Sequence, residues 1–187
     1  MMDALEIIGF ISGFAGVYLT IKKNKWCFPV GIINVVLSCV LFYKSQLYAD
    51  SIQQLIYIPL LIAGWLNWKT NTNEDFIIER LHSKEKLIYF LLFLFTGFLL
   101  GSILKTYSNA SFPWIDSLAT TASFLAQYLI AKKKIENWFI WIVVNAVYIV
   151  LYLQKDLDLY AVLYFAYLIL AIKGFIEWRK SFKLNNE

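Results

Sequence analysis

Residues 87–104 read LIYFLLFLFTGFLLGSIL, a run without a single charged side chain. A helix that crosses a membrane needs about 20 mostly apolar residues, and this stretch is apolar on every face. Runs of similar character recur along the chain, and they are continuous rather than alternating, which favours helices over the strands of a membrane barrel. The sequence therefore predicts seven spanning helices, over residues 4–21, 27–43, 48–65, 87–104, 114–130, 138–153 and 159–177.

The composition of the 187-residue chain agrees with this prediction. It is 60% hydrophobic, 18% aromatic and only 16% charged, with a mean hydropathy of +0.61. A soluble domain has about 25% charged residues, so the charged shell that water requires is missing here. These numbers exclude an ordinary soluble domain and indicate a compact integral membrane protein that contacts the lipid bilayer.

The basic residues divide unequally between the two sides of this predicted bundle. With seven spans, 14 of the 17 basic residues lie on one side, and only Lys44, Lys105 and Lys155 lie on the other. Because cytoplasmic loops carry an excess of lysine and arginine, we expect the N-terminus outside and the C-terminus in the cytoplasm. The basic clusters thus indicate membrane topology rather than a nucleic-acid partner.

The chain also contains an internal repeat. Four short stretches recur in the same order: 18–23 as 128–133, Trp26 as Trp138, 47–49 as 159–161, and 64–68 as 174–178. The first and last pairs are separated by the same interval, which we call the repeat interval, and the middle pairs by one only slightly longer. It relates helices 1–3 to helices 5–7 in the same orientation, as in transporters with parallel repeats. We expect a first three-helix repeat (1–68), a cytoplasmic linker (69–86), a linker helix (87–105), a second repeat (114–178) and a cytoplasmic tail (179–187).

The sixth predicted helix carries the most specific polar pattern. Trp138, Trp141 and Asn145 are spaced i, i+3 and i+7 and so share one face. Two indoles can hold a flat or cationic ring by stacking and cation–π attraction, and an amide orients polar groups. Trp138 could instead be an anchor at the membrane interface, and Asn145 could bond a neighbouring helix.

Other helices add polar or aromatic groups at membrane depth, where such groups usually face the interior. They are Asn34, Gln54, Tyr57, Gln127 and Tyr164. Together with the stripe on the sixth helix, they predict one shared substrate cavity, although each could also serve only to join helices. We expect no metal site and no cofactor. The pairs Gly9/Gly13 and Gly97/Gly101 predict close helix packing, compatible with a homo-oligomer.

Several of these motifs resemble those of the PnuC-type vitamin transporter family. They are LYAD at 47–50 followed by Gln54, Tyr57 and GWLNW at 64–68, the pattern Trp138-x-x-Trp141-x-x-x-Asn145, and GFIEWRK at 174–180. The resemblance covers roughly residues 6–180. Ala63 departs from it, standing where the family often has an aromatic residue, and this could alter the cavity; so does Lys173, in an apolar helix end.

This resemblance implies uptake of nicotinamide riboside across the bacterial inner membrane by facilitated diffusion. It implies a SWEET-like fold of 3+1+3 helices and a cytoplasmic kinase that traps the substrate by phosphorylation. Trp138, Trp141, Asn145, Gln54 and Tyr57 would line the site. Thiamine, which also contains a flat cationic ring, stays open as the alternative substrate.

Two other classes of protein fit the sequence less well. An intramembrane enzyme would need a catalytic motif, but the single histidine, His82, lies in the linker, and neither HExxH nor GxSxG occurs. Asp50 and Asp116 could form an aspartyl pair, yet both begin helices at the outer boundary. A receptor or scaffold would not need the parallel repeat and the aromatic pocket.

Overall fold

The computed structural model describes residues 4–44, 48–69, 76–108, 112–154, 156 and 158–184. Within these residues the chain forms seven helices, and this part of the prediction is confirmed. They are α1 (Ala4–Ile21), α2 (Cys27–Lys44), α3 (Tyr48–Lys69), α4 (Ser83–Tyr107), α5 (Pro113–Ala131), α6 (Glu136–Gln154) and α7 (Asp158–Leu184). Residues 70–75 of the predicted linker and 185–187 of the predicted tail lie outside the described residues.

Helices α3, α4 and α7 extend by several residues beyond the predicted apolar runs, and α4 and α7 show the reason most clearly. Helix α4 begins at Ser83, because the Glu85 carboxylate accepts a hydrogen bond of 2.8 Å from the backbone N–H of His82 and so caps the helix start. Helix α7 continues to Leu184, so Arg179 and Lys180 belong to a helix rather than to an extended tail. In both cases polar residues prolong a helix whose apolar part alone defined the predicted span.

Four helices are each long and apolar enough to cross a membrane: α2, α4, α6 and α7. Helix α1 contributes a shorter apolar stretch, Ile7–Ile21. Helices α3 and α5 are less apolar because they carry polar side chains such as Gln53 and Gln54 on α3 and Ser123 and Gln127 on α5. The chain is therefore a multi-pass helical membrane protein.

Six helices form a closed ring in the order α1, α2, α3, α5, α6, α7, with α7 packed against α1. Helix α4 stands outside this ring and, within the described residues, packs on α5 alone. Gly97 and Gly101 of α4 are buried there, and a methyl group on either would collide with Leu118 or Trp114 of α5. This confirms close packing at the second of the two glycine pairs.

Two tryptophans make equivalent bonds at one end of the ring. We call this the basic end; it is where α1, α3, α5 and α7 finish and where the lysine-rich turns lie. Trp68 Nε1 of α3 donates a hydrogen bond of 3.2 Å to the Ile130 carbonyl of α5. Trp178 Nε1 of α7 donates one of 3.2 Å to the Thr20 carbonyl of α1. The two donors are separated by the repeat interval, and so are the two acceptors, so the α3–α5 and α7–α1 contacts are joined in the same way.

Residues 76–82, which we call the strap, cover the basic end of the ring. The Phe76 ring lies 4.5 Å from the Trp68 ring and 5.7 Å from the Trp178 ring, between centroids. Backbone bonds fasten the strap to the turn after α5: Glu79 N–H donates to the Lys133 carbonyl at 3.1 Å, and Ile135 N–H donates to the Glu79 carbonyl at 3.0 Å. The strap thus covers this end with the half-buried Phe76 ring and the buried aliphatic side chains of Ile78 and Leu81.

Candidate substrate cavity

A cavity of about 640 Å³ lies inside the ring, and all six ring helices line it. This volume falls in the range of about 300–1,000 Å³ that is typical of small-molecule sites. The predicted site residues all line it: Asn34, Gln54, Tyr57, Gln127, Trp138, Trp141, Asn145 and Tyr164. The structure thus brings together residues from five helices, whereas their contact with a substrate stays a prediction.

Helix α6 supplies one wall of the cavity. Trp138 is only 2% exposed and packs edge to face on Trp178, with ring centroids 5.6 Å apart. Such enclosure does not suit an anchor at the membrane surface. Its Nε1–H is buried and has no hydrogen-bond partner among the described residues, which leaves an indole donor beside the cavity. Trp141 and the buried Asn145 follow on the same face.

Glycine makes room for the two large side chains at the floor of the cavity. A methyl group on Gly174 of α7 would collide with the six-membered ring of Trp138, and one on Gly64 of α3 would collide with Phe28 of α2. The two glycines are separated by the repeat interval, and so are Phe28 and Trp138. The sequence comparison paired Trp138 with Trp26; in the structure Phe28 takes the corresponding place, and Trp26 is exposed.

One of the polar side chains in the cavity already serves the fold. The Asn34 amide nitrogen donates to the Gly9 carbonyl at 2.6 Å and to Ser12 Oγ at 3.2 Å, which ties α2 to α1. This is the interhelical role that the sequence left open for such residues. Nearby, Gly13 allows the hydroxyl of Tyr167 to approach α1 closely.

Tyrosines of α6 and α7 form a continuous aromatic wall, which we call the tyrosine wall; it comprises Tyr148, Tyr152, Tyr160, Tyr164 and Tyr167. Successive ring centroids are 4.8 to 6.0 Å apart, and all five residues line the cavity. Tyr148, Tyr152 and Gln53 were missed as site residues. The two tyrosines continue the spacing of Trp141 and Asn145 on α6, so extending that stripe by two turns would have found them.

No charged side chain is among the described residues that line the cavity. Asp50 and Asp116 lie in the first turns of α3 and α5, outside this lining, so they do not form a catalytic pair within it. Ala63 is exposed and also lies outside the lining. The expectation that Ala63 could alter the cavity is therefore wrong, because this position faces away from it.

A ring of membrane helices around an uncharged cavity of this size has the architecture of a small-molecule transporter. The chain matches the family described as nicotinamide mononucleotide transporter over residues 3–180, and it belongs to that family. Membership confirms the family resemblance and makes the protein a multi-pass bacterial membrane transporter rather than an enzyme.

Comparison with individual proteins gives the same assignment. The chain is 24% identical to the nicotinamide riboside transporter PnuC of Escherichia coli K12, over 95% of this chain and 85% of the relative. It is 25% identical to PnuC of Neisseria mucosa, over 96% and 73% of the two chains. The riboflavin/roseoflavin transporter RibM of Streptomyces davaonensis is 21% identical, over 92% and 83%.

The fold also has a solved counterpart. A crystal structure of the vitamin B3 transporter PnuC superimposes with a TM-score of 0.79 at 22% identity, covering 94% of this chain and 80% of that one. At this level of identity the likeness concerns the fold, and it supports the helical arrangement described above.

Proposed function

We propose that this protein carries nicotinamide riboside across the bacterial cytoplasmic membrane by facilitated diffusion. The relatives from Escherichia coli and Neisseria mucosa are named for this substrate. The cavity offers aromatic rings for the cationic pyridinium and amides for the carboxamide and ribose. Thiamine has the same kind of ring, but none of the relatives described above is named for it.

The uncharged lining is the observation that carries the choice of the riboside over the mononucleotide. A phosphate group that enters a low-dielectric cavity needs a cation or several hydrogen bonds to replace its hydration. The described residues of the cavity include no lysine, arginine or histidine. A substrate with a cationic ring and no phosphate loses less free energy when it leaves water for the cavity, because the faces of the aromatic rings attract its positive charge.

We assign the roles in the cavity as follows. Trp141, Tyr57 and Tyr164 present aromatic rings to the pyridinium. Trp138 donates its unpartnered indole N–H to the substrate, and Asn145, Gln54 and Gln127 bond the carboxamide and the ribose hydroxyls. Asn34 acts by holding α1 against α2 at the cavity wall, because its amide nitrogen is already bonded there.

We further propose seven spans in a 3+1+3 arrangement, with α4 linking two parallel three-helix repeats. Matching features separated by the repeat interval support it. The clearest are the indole bonds of Trp68 and Trp178 and the left-handed backbone of Lys23 and Lys133, whose φ angles are 56° and 55°. The basic end would face the cytoplasm. A reporter active only in the cytoplasm, fused after Glu187 (outside the described residues), should be active.

Two further proposals accompany this function, one about a cytoplasmic kinase and one about the oligomeric state. Because no acidic or basic group is among the described residues lining the cavity, no ion relay is available within that lining, and net uptake then depends on a cytoplasmic kinase that consumes the substrate. Uptake into cells without that kinase should stop at equilibrium.

We also propose that the protein forms a homo-oligomer, which would bury part of the exposed apolar face of α4. Measurement of the mass of the protein in detergent determines the number of subunits.

The decisive experiment is a titration of the purified protein with nicotinamide riboside, nicotinamide mononucleotide and thiamine, read by tryptophan fluorescence. We expect affinity in the micromolar range or tighter for the riboside and much weaker binding of the mononucleotide. Trp141→Ala should weaken riboside binding by at least about tenfold, the equivalent of one lost cation–π or stacking contact. Trp26→Ala is the matched control, because Trp26 is exposed and outside the cavity.

Equal losses in Trp141→Ala and Trp26→Ala would contradict the assigned cavity. Preferential binding of thiamine would keep the cavity but replace the substrate. Tight binding of the mononucleotide would overturn the argument from the uncharged lining.

A further inference from the structure

A second cavity, of about 550 Å³, lies outside the ring at the basic end. We call it the basic crevice. It opens between the end of α3, the start of α4 and the end of α5, and its lining includes Asn67, Tyr89, Tyr128 and the lysines Lys132, Lys133 and Lys134. The substrate cavity has an uncharged lining, so the two sites are chemically different and the inference below does not rest on the proposed function.

Two of the three lysines are left to interact with a ligand. Lys134 Nζ lies 2.8 Å from the Glu79 carboxylate and 3.8 Å from that of Glu85, so it is paired with both glutamates of the crevice. Burial opposes its charge, but the Glu79 hydrogen bond and the nearby glutamates raise its pKa overall. Lys132 and Lys133 have no ion pair within the described residues.

The environments of these two lysines favour an incoming anion. Lys133 is buried, and its Nζ lies 4.8 Å from the centroid of the Phe76 ring. Burial lowers its pKa, an effect that the Glu79 charge only partly offsets. Lys132 is exposed at the mouth of the crevice, over the Tyr128 ring. An anion beside Lys133 would replace solvation that the fold has removed from this ammonium, and the exposed Lys132 would add a second positive charge.

The rest of the lining supplies hydrogen-bond donors. The rings of Tyr89 and Tyr128 pack edge to face with centroids 5.8 Å apart, and both residues line the crevice. Phosphate oxygens accept several charge-assisted bonds at once, and basic pockets between helices at the membrane surface are suited to phosphate headgroups. The Tyr89 and Tyr128 side chains are hydrogen-bonded to each other, which leaves one of the two hydroxyl protons for a ligand. We propose that the basic crevice binds a phosphate group through Lys132, Lys133 and this remaining O–H of the tyrosine pair.

The phosphate could belong to the headgroup of an anionic lipid or to a soluble phosphate ester. The first repeat offers a matched control for either source. Lys22 Nζ lies 5.9 Å from the centroid of the Tyr18 ring, the same distance as Lys132 from Tyr128. In the described part of the chain, however, α1 packs only on α2 and α7, so nothing beside Tyr18 corresponds to α4. Lys22 therefore has the same local geometry without the crevice.

The test compares the parent protein with Lys132→Gln and Lys22→Gln, each in phosphatidylcholine nanodiscs. Calorimetric titrations with dioctanoyl phosphatidylglycerol and with glycerol 3-phosphate distinguish the two sources. We expect one saturable site in the parent. Lys132→Gln should weaken it by about 10- to 100-fold, as for a lost charged hydrogen bond, whereas Lys22→Gln should change it by less than about twofold. Thermal midpoints confirm that all three proteins are folded.

Saturation by the lipid alone identifies a headgroup, and saturation by both ligands identifies a site open to soluble esters; either result supports the proposal. The proposal is overturned if neither ligand saturates the parent. It is also overturned if the two lysine variants lose affinity equally, because the attraction would then belong to the positive end as a whole.

Discussion

At the scale of single residues, the floor of the cavity depends on a glycine as much as on the tryptophan above it. Trp138 packs directly over Gly174, and the backbone of α7 can come so close only because residue 174 has no side chain. Gly174 has no side chain that could contact a substrate, yet it determines where the buried Trp138 ring and its unpartnered N–H lie. The position of the Trp138 ring thus depends on α7 as well as on its own helix.

Gly174→Ala should therefore displace Trp138. The added methyl group overlaps the ring, and overpacking of this kind costs about 1–3 kcal/mol, which exceeds the gain of up to about 1 kcal/mol in helix propensity. We expect a thermal midpoint lower by about 2–6 °C and riboside affinity reduced about tenfold or more. Calorimetry and fluorescence titration measure these two quantities.

The control for this variant is Gly16→Ala on α1. Gly16 also lines the cavity, but a methyl group there would meet its neighbours at ordinary distances of 3.9–4.0 Å. It gains the same helix propensity without a collision and should bind as the parent does. If Gly174→Ala bound riboside as tightly as Gly16→Ala, the position of the Trp138 ring over Gly174 would not contribute to riboside binding.

At the scale of helices, the sequence predicted what hydropathy and spacing determine. All seven helices lie where the apolar runs placed them, and every predicted site residue lines one cavity. Hydropathy does not locate the start of α4 or the end of α7, since these turns are polar and are stabilised by caps and by packing at the basic end. The packing contacts join residues far apart in the chain, which local patterns do not report.

The strap shows more clearly that local sequence patterns do not predict packing between distant parts of the chain. Residues 76–82 lie in a polar stretch that predicts only a linker, yet Ile78 is 1% exposed and Phe76 packs between two tryptophans. A few isolated apolar residues among charged ones do not form the regular spacing by which a buried helix or strand is predicted. A backbone bridge joins Glu79 to Lys134, which lies in the turn between α5 and α6, so the position of the strap depends on a contact between residues far apart in the chain.

At the scale of the whole molecule, helices α1–α3 meet helices α5–α7 twice, at α3–α5 and at α7–α1, and one indole hydrogen bond joins each contact at the basic end. A transporter with parallel halves must open one end of its cavity while the other is closed. We expect the Trp68 and Trp178 bonds, which the strap covers, to hold the basic end closed. Breaking both should favour the state that opens there, because the bonds are equivalent and act on separate contacts.

Cys27 reports this opening. It is 4% exposed, lines the cavity and begins α2 at the basic end. In a Cys39→Ser background it is the sole cysteine. The double variant Trp68→Phe/Trp178→Phe keeps an aromatic ring at each position but removes both indole donors, at a cost of about 0.5–1.5 kcal/mol for each hydrogen bond. A membrane-impermeant maleimide applied from the cytoplasmic side should then label Cys27 several-fold faster, with the single variants intermediate.

Trp26→Phe supplies the control, since Trp26 is exposed at the same end and packs on Trp65 rather than across the two halves. It should leave the labelling rate unchanged. Riboside in the cavity should slow labelling in every variant, because the thiol and the substrate share that space. If Cys27 in the double variant reacted no faster with the maleimide than Cys27 in Trp26→Phe, the indole bonds would stabilise the fold without keeping the basic end closed. If labelling rose only from the opposite side, the basic end would face outward and the proposed orientation would be reversed.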